Sequence, residues 1–253
     1  MTRLTTRAGV ILAAIVLWWL IADVVFAANP VVSKMGPAST FTGLVRLLGE
    51  PTFLDAISVA PDRLLAGLGL GVLIGIPLGA LFGSRGMVEQ ATDPIVQLLR
   101  MTSPLAWAPL ALVLLGTGSG SVIALIALAA VWPIVLGVSA GVRALDPGFA
   151  AVARSLGATR WETARSTTIP ALAAPVTGAI RVALGISWVV LVPAEMLGVT
   201  NGLGYAVLNS RDNVDYSGLA ATMLAIGLLG FLLDRVFRGL HNLVLSRTGR
   251  QNA

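Results

Sequence analysis

Cysteine is absent from this 253-residue chain, so no disulfide framework and no thiolate metal site can form, and the single histidine, His241, cannot build a ligand cluster. Charge is scarce as well. Only 11% of residues are Asp, Glu, Lys or Arg, where a soluble domain carries about a quarter. No GxxxxGK[ST] loop occurs, so the chain lacks the usual backbone cradle for nucleotide phosphates. Metal chemistry, soluble enzyme folds and P-loop ATP hydrolysis drop out together.

Apolar sequence fills the space these leave. With 56% hydrophobic residues and a mean hydropathy of +0.88, the composition is that of an all-α polytopic membrane protein. Six runs have a length that crosses a hydrocarbon layer of about 30 Å. They are 8–28, 64–84, 94–116, 121–142, 176–199 and 217–233. The first also has the form of a signal peptide, with Arg3 and Arg7 ahead of the apolar run and Val25-Phe26-Ala27 at its end. Further spans follow it, so it is taken as the first crossing.

The segment between the first two runs is polar and proline-punctuated. Phe41, Leu44, Val45, Leu47 and Leu48 recur within it at helical spacing, which predicts either a short amphipathic helix on the membrane face or a plain loop. The second run carries Gly67, Gly71, Gly75, Gly79 and Gly83 four residues apart, the spacing that lets two helix backbones approach closely in lipid. The third holds Arg100, Ser103, Pro104, Trp107 and Pro109. A guanidinium in hydrocarbon costs at least ~2.5 kcal/mol, so Arg100 either faces the interior and a pathway or snorkels to the headgroups. Glu195, late in the fifth run, is either a functional carboxylate or an outer headgroup neighbour.

One long polar stretch stands out, Asp146 to Pro175 (DPGFAAVARSLGATRWETARSTTIPALAAP). Asp146-Pro147 reads as an N-cap followed by the helix position that suits proline, and Gly157 as a left-handed stop. Thr159 and Glu162 have capping-box spacing for a second helix, which Pro170 is expected to end. Arg154, Arg160 and Arg165 decorate the unit, and Leu156 and Trp161 offer an apolar ridge. The result is a two-helix knob fit to be gripped by another protein.

Loop charges set the orientation. With a cytoplasmic N-terminus, Arg3, Arg7, Arg85, Arg143, Arg154, Arg160, Arg165, Arg181, Arg235, Arg238, Arg247 and Arg250 fall inside, while Lys34, Arg46, Arg63 and Arg211 fall outside. The net charge of +5 is thereby explained by topology and anionic lipid. A helix-turn-helix DNA reader drawn onto 146–168 is excluded by its place between two uncharged runs, so no nucleic-acid partner is expected. A proton-coupled carrier using Asp23, Arg100 and Glu195 is the alternative transport reading.

The knob resembles the EAA loop of bacterial ABC importer permeases. Ala153, Gly157, Ile169 and Pro170 match the pattern, whereas Ala151, Val152 and Thr167 replace its glutamate, first alanine and first aliphatic residue. Residues 100–109 (RMTSPLAWAP), 152–158 (VARSLGA), 169–175 (IPALAAP), Glu195-Met196 and Gly202-Leu203-Gly204 resemble the nitrate, sulfonate, taurine and bicarbonate branch. The resemblance implies a six-helix type I, MetI-like permease fold and a bacterial inner-membrane location with both termini cytoplasmic. It implies a homodimer, two ATPase subunits that bind ATP and Mg, an extracytoplasmic solute-binding protein, and no cofactor in this chain. Arg154, Ser155, Leu156, Gly157, Ala158, Thr159, Arg160 and Trp161 would couple to the ATPase. Arg100, Ser103, Trp107 and Glu195 are the candidates for the translocation pathway.

Overall fold

The computed structural model describes residues 2–84 and 86–247, and every regular element among them is helical. Arg85 and Arg250 lie outside the described residues, as do the side chains of Arg3, Arg7, Arg160 and Arg247. In chain order the helices are α1 (Thr2–Trp19), α2 (Pro37–Leu48), α3 (Pro51–Ser84), α4 (Gly86–Met101), α5 (Ala108–Leu115), α6 (Ser119–Arg143), α7 (Pro147–Ser155), α8 (Arg160–Thr163), α9 (Ile169–Gly198), α10 (Leu203–Asp212) and α11 (Tyr216–Arg247). Two packing units result, one made of 1–60 with 200–229 and the other of 61–199 with 230–253.

Four continuous helices are long and apolar enough to cross a membrane: Pro51–Ser84, Ser119–Arg143, Trp161–Gly198 and Tyr216–Leu243. The expected third span, 94–116, is not straight. It consists of Pro94–Met101 and Pro104–Leu115, bent by 84°. The cause is local: Pro104 forces the preceding Ser103 into an extended conformation (φ −58°, ψ 132°), which no helix can pass through. Gly9–Val25 is a shorter apolar helix whose last turns, Leu20–Val25, widen to π geometry. Large apolar side chains such as Val10, Leu73 and Val113 are exposed, as expected of surfaces that face lipid or a partner.

In the first unit, α2 does more than rest on a surface. Thr40, Gly43 and Leu47 are buried, and a Cβ on Gly43 would lie 2.8 Å from the Ser217 carbonyl oxygen. The start of α11 is fixed by Asp215, whose carboxylate accepts from the Gly218 N–H (3.0 Å) and the Ser217 hydroxyl (2.8 Å) and pairs with Arg46. Partial burial would raise the Asp215 pKa, but the bonds from Gly218, Ser217 and Arg46 outweigh it and hold the carboxyl below its ordinary value. A depressed folded pKa means stability that is present above the unfolded value of about 3.9 and is lost as pH falls through the folded one. Asp215→Ala is therefore expected to cost about 1 kcal/mol, an N-cap's worth, with the exposed half of the ion pair adding little. Melting curves of wild type and variant should converge on acidification; a gap that widens there would refute the assignment.

The second unit is built on the glycine stripe of α3. A Cβ placed on Gly67 or Gly71 would come within 2.5 Å of Ile126 or Ala130, and one on Gly75, Gly79 or Gly83 within 2.8, 2.7 and 2.7 Å of Ile134, Val135 or Ser139 atoms. The two backbones therefore touch along five successive turns, as the four-residue spacing predicts. On its other side α6 meets α9, where a Cβ on Gly141 would strike Pro175 at 2.7 Å. Helices α3, α6 and α9 form one slab, with Ile126, Ala130, Ile134, Val135, Ala183 and Leu191 fully buried in it.

Candidate functional site

The 146–175 knob forms as its local signals direct. Asp146 Oδ1 accepts from the Gly148 N–H at 2.7 Å and Pro147 opens α7. Helix α7 closes at Gly157, which sits at φ +87° while its N–H donates to the Arg154 carbonyl at 3.0 Å and the Ala158 N–H to the Ala153 carbonyl at 3.1 Å. A side chain is strained in that conformation, so only glycine turns the chain here without cost. The capping box is complete: Glu162 Oε2 accepts from the Thr159 N–H at 2.8 Å, and the Glu162 N–H donates back to Thr159 Oγ1 at 3.3 Å.

Pro170 does not end the second helix. The chain runs unbroken from Trp161 to Gly198, with a π-turn over Ala164–Thr168 and Pro170 in the first turn of α9. In a regular α-helix the ring of Pro170 would strike the carbonyl four residues back; the wider π-turn moves that carbonyl aside and absorbs the missing donor. The knob is thus the head of a membrane-crossing rod. At its tip Leu156 is 82% exposed and Trp161 69%, an apolar pair that the chain itself leaves uncovered. Ser155, exposed, donates its Oγ–H back to the Val152 carbonyl of its own helix at 2.8 Å. Arg154 stands in the last turn of α7, and the side chain of Arg160 is outside the described residues.

At the far end of the rod lies a polar centre that the sequence reading did not assemble. Glu195 is fully buried, and its Oε1 accepts from Arg63 Nη1 at 2.8 Å; Arg63 is itself 4% exposed, and its Nε donates to Ser119 Oγ at 3.0 Å. The adjoining backbone is stitched too, with the Gly118 N–H donating to the Gly198 carbonyl at 2.8 Å and Ser121 Oγ to the Gly118 carbonyl at 2.8 Å. One carboxylate therefore ties α9 to α3, and one guanidinium ties α3 to the start of α6. Arg63 was assigned to an outer loop because it precedes the apolar run. Its register carried the signal, since Arg63 stands four residues before Gly67 on the same stripe.

The remaining pathway candidates do not converge on this centre. Arg100 is exposed, donates to Gln97 Oε1 at 2.9 Å and borders a cavity of about 310 Å³ with Leu99, Thr102, Trp132, Leu136 and Ile186. Ser103 is exposed at the bend and Trp107 half-buried. Asp23 lies in the first unit against Gly36. Among the described residues no group of His, Asp and Glu could hold a metal ion.

Similarity to known proteins follows the same outline. Residues 71–250 match the family described as binding-protein-dependent transport system inner membrane component. The taurine transport system permease protein TauC of Escherichia coli (strain K12) is 29% identical over 94% of this chain and 88% of its own. The bicarbonate transport system permease protein CmpB of Synechococcus elongatus is 30% identical over 91% of this chain and 87% of its own. Among solved structures, a chain of the MetNI methionine ABC transporter superposes with a TM-score of 0.65 at 16% identity, over 76% of this chain and 96% of that one, a likeness of fold.

Proposed function

This chain belongs to the family of binding-protein-dependent transport system inner membrane components, and from that membership we propose that a separate ATPase drives it through the 146–175 knob. It is a permease subunit of an ABC importer, a membrane protein whose transport work requires an ATPase and a binding protein as partners. The proton-coupled carrier drawn on Asp23, Arg100 and Glu195 gives way to that membership. Following the relatives that move taurine and bicarbonate, the solute is a small organic or inorganic anion or zwitterion. The working assembly is a homodimer with two ATPase subunits holding ATP and Mg, an extracytoplasmic binding protein, and both chain termini in the cytoplasm.

The observation that carries the coupling role is mechanical. The exposed Leu156–Trp161 ridge sits on the head of a helix that continues without a break to Gly198, so a push on the ridge is a push on the whole rod. Arg154 and Arg160, which flank the ridge in sequence, are the basic residues proposed to meet acidic groups of the ATPase. Arg100, Ser103, Trp107 and Glu195 remain the residues proposed to border the route, with Glu195 acting through Arg63.

Gly157→Pro is the direct test. Proline cannot adopt φ +87° and removes the N–H given to Arg154, so the turn between the two short helices is lost while the spans are untouched. Substrate-stimulated ATP hydrolysis of the assembled complex should fall roughly tenfold or more, the effect of losing about 1.4 kcal/mol of coupling. Unchanged stimulation, or a knob found on the external side, would overturn the reading.

A further inference from the structure

In the second unit, α9 and the last part of α11 meet across a cleft of about 140 Å³, lined by Leu184, Gly185, Trp188 and Leu233 and by the paired Arg181 and Asp234. Its charge is confined to one end. Arg181 meets Asp234 there, while at the other end a Cβ on Gly230 would lie 2.4 Å from Trp188 Nε1, so the indole rests on the α11 backbone. Asp234 Oδ1 accepts from Arg181 Nε and Nη2 at 3.3 Å, and its Oδ2 accepts from Arg238 Nε at 2.7 Å. One carboxylate thus serves two guanidinium groups. A third, Arg235, stacks over the Phe231 ring at 5.0 Å on the same helix stripe as Asp234 and Arg238, so positive charge is in excess around the cleft. Two further observations say what that charge faces. The uncharged run of α11 ends at Leu233, which puts Arg235 and Arg238 where hydrocarbon gives way to headgroups, beside the exposed Phe231 and Leu232. Along α9 the cleft is open rather than packed shut, since a Cβ on the exposed Gly185 would meet nothing within 4 Å.

We propose that this cleft seats one anionic phospholipid, its phosphate held by Arg181, Arg235 and Arg238 and one acyl chain laid along Gly185 toward Trp188. A guanidinium is a planar fork of donors that matches phosphate oxygens. Asp234 fixes two such forks side by side while using only part of their five donors each, and so builds the seat without neutralising it. Basic pockets between membrane helices take anionic head groups for this reason. A choline phospholipid offers the same chains, but its quaternary ammonium meets an excess of like charge. The seat stands on the geometry of α9 and α11 alone, and it would exist whether or not an ATPase pushes on the knob. Because α9 is the rod that carries the knob, a lipid bound here braces that rod against α11.

The test is a fluorescence titration of the delipidated full chain in neutral detergent, with phosphatidylglycerol and phosphatidylcholine carrying brominated chains and with inorganic phosphate. Bromine quenches a tryptophan it touches, and Trp188 lines the cleft. Saturable quenching by phosphatidylglycerol is expected at concentrations roughly tenfold or more below those that phosphatidylcholine requires, and Trp188→Phe should remove that component. Arg235→Gln with Arg238→Gln should weaken phosphatidylglycerol binding roughly twentyfold, about fivefold for each basic group at the surface, and leave phosphatidylcholine unchanged. Gly185→Leu fills the open wall without altering charge, so it should reduce the quenching severalfold while the chain stays folded. Equal affinity for the two lipids, or phosphatidylglycerol quenching unchanged in both the arginine and the Gly185→Leu variants, would overturn the site. Displacement of the lipid by inorganic phosphate at equal concentration would identify a site for the free ion and refute the lipid assignment.

Discussion

Glu195→Ala should be the most damaging single change in the second unit, costing roughly 3–5 kcal/mol of stability. The loss comes from the partner left behind. Arg63, 4% exposed, would keep its charge in a medium that cannot solvate it, with only Ser119 and its remaining neighbours to share the donors. Replacing both members, Arg63→Met with Glu195→Leu, should recover most of the loss, because removing the two charges also removes both desolvation costs. Melting temperatures of the two single variants and the double variant close the cycle. If the effects of the singles simply add in the double, the pair contributes no coupling and the tie between α3 and α9 is not electrostatic. Function separates stability from positioning. A double variant that folds yet shows weaker ATPase-to-transport coupling would mean that the ion pair also fixes where the rod's far end is held.

That rod explains what was and was not legible in the sequence. Asp146, Gly157, Thr159 and Glu162 could be read directly, because a cap or a left-handed stop is decided within about four residues and leaves its partners at fixed offsets. The glycine stripe of α3 could be read for a similar reason: a period of four on one helix needs no knowledge of the neighbour to announce a close contact. Pro170 misled, since the rule that proline ends a helix assumes regular α geometry upstream, and the π-turn over Ala164–Thr168 removes that assumption. The bend at Ser103 was hidden inside an apolar run whose length alone implied one crossing, although Pro104 stood there to cause it. Helix α10 starts directly after Asn201-Gly202, where Gly202 sits at φ +109°: such a dipeptide announces a turn but not the helix that follows it. Arg63 and Glu195 could not be joined by spacing at all, since 132 positions separate them and only the packed slab brings them together.

Gly79→Leu is expected to separate α3 from α6, and its contrast with Gly69→Ala tests the whole stripe. At Gly79 a Cβ would sit 2.7 Å from the Val135 carbonyl oxygen and from Val138 Cβ, and neither the backbone nor a Cβ can swing away as a long side chain does. Overpacking of this kind costs about 1–3 kcal/mol for modest insertions, and a whole isobutyl group against backbone lies at or beyond the upper end. In lipid no hydrophobic drive pulls the helices back together once the close contact is lost, so the damage should spread along the stripe from Gly67 to Gly83. At Gly69 nothing lies within 4 Å of the same Cβ, so Gly69→Ala should be neutral or stabilising by up to about 1 kcal/mol, the helix-propensity difference. Detergent melting curves and protease resistance of the two variants provide the comparison. Equal stability would show that α3 and α6 do not meet through their glycines, and the slab that carries both the knob's rod and the Arg63–Glu195 tie would lose its physical basis.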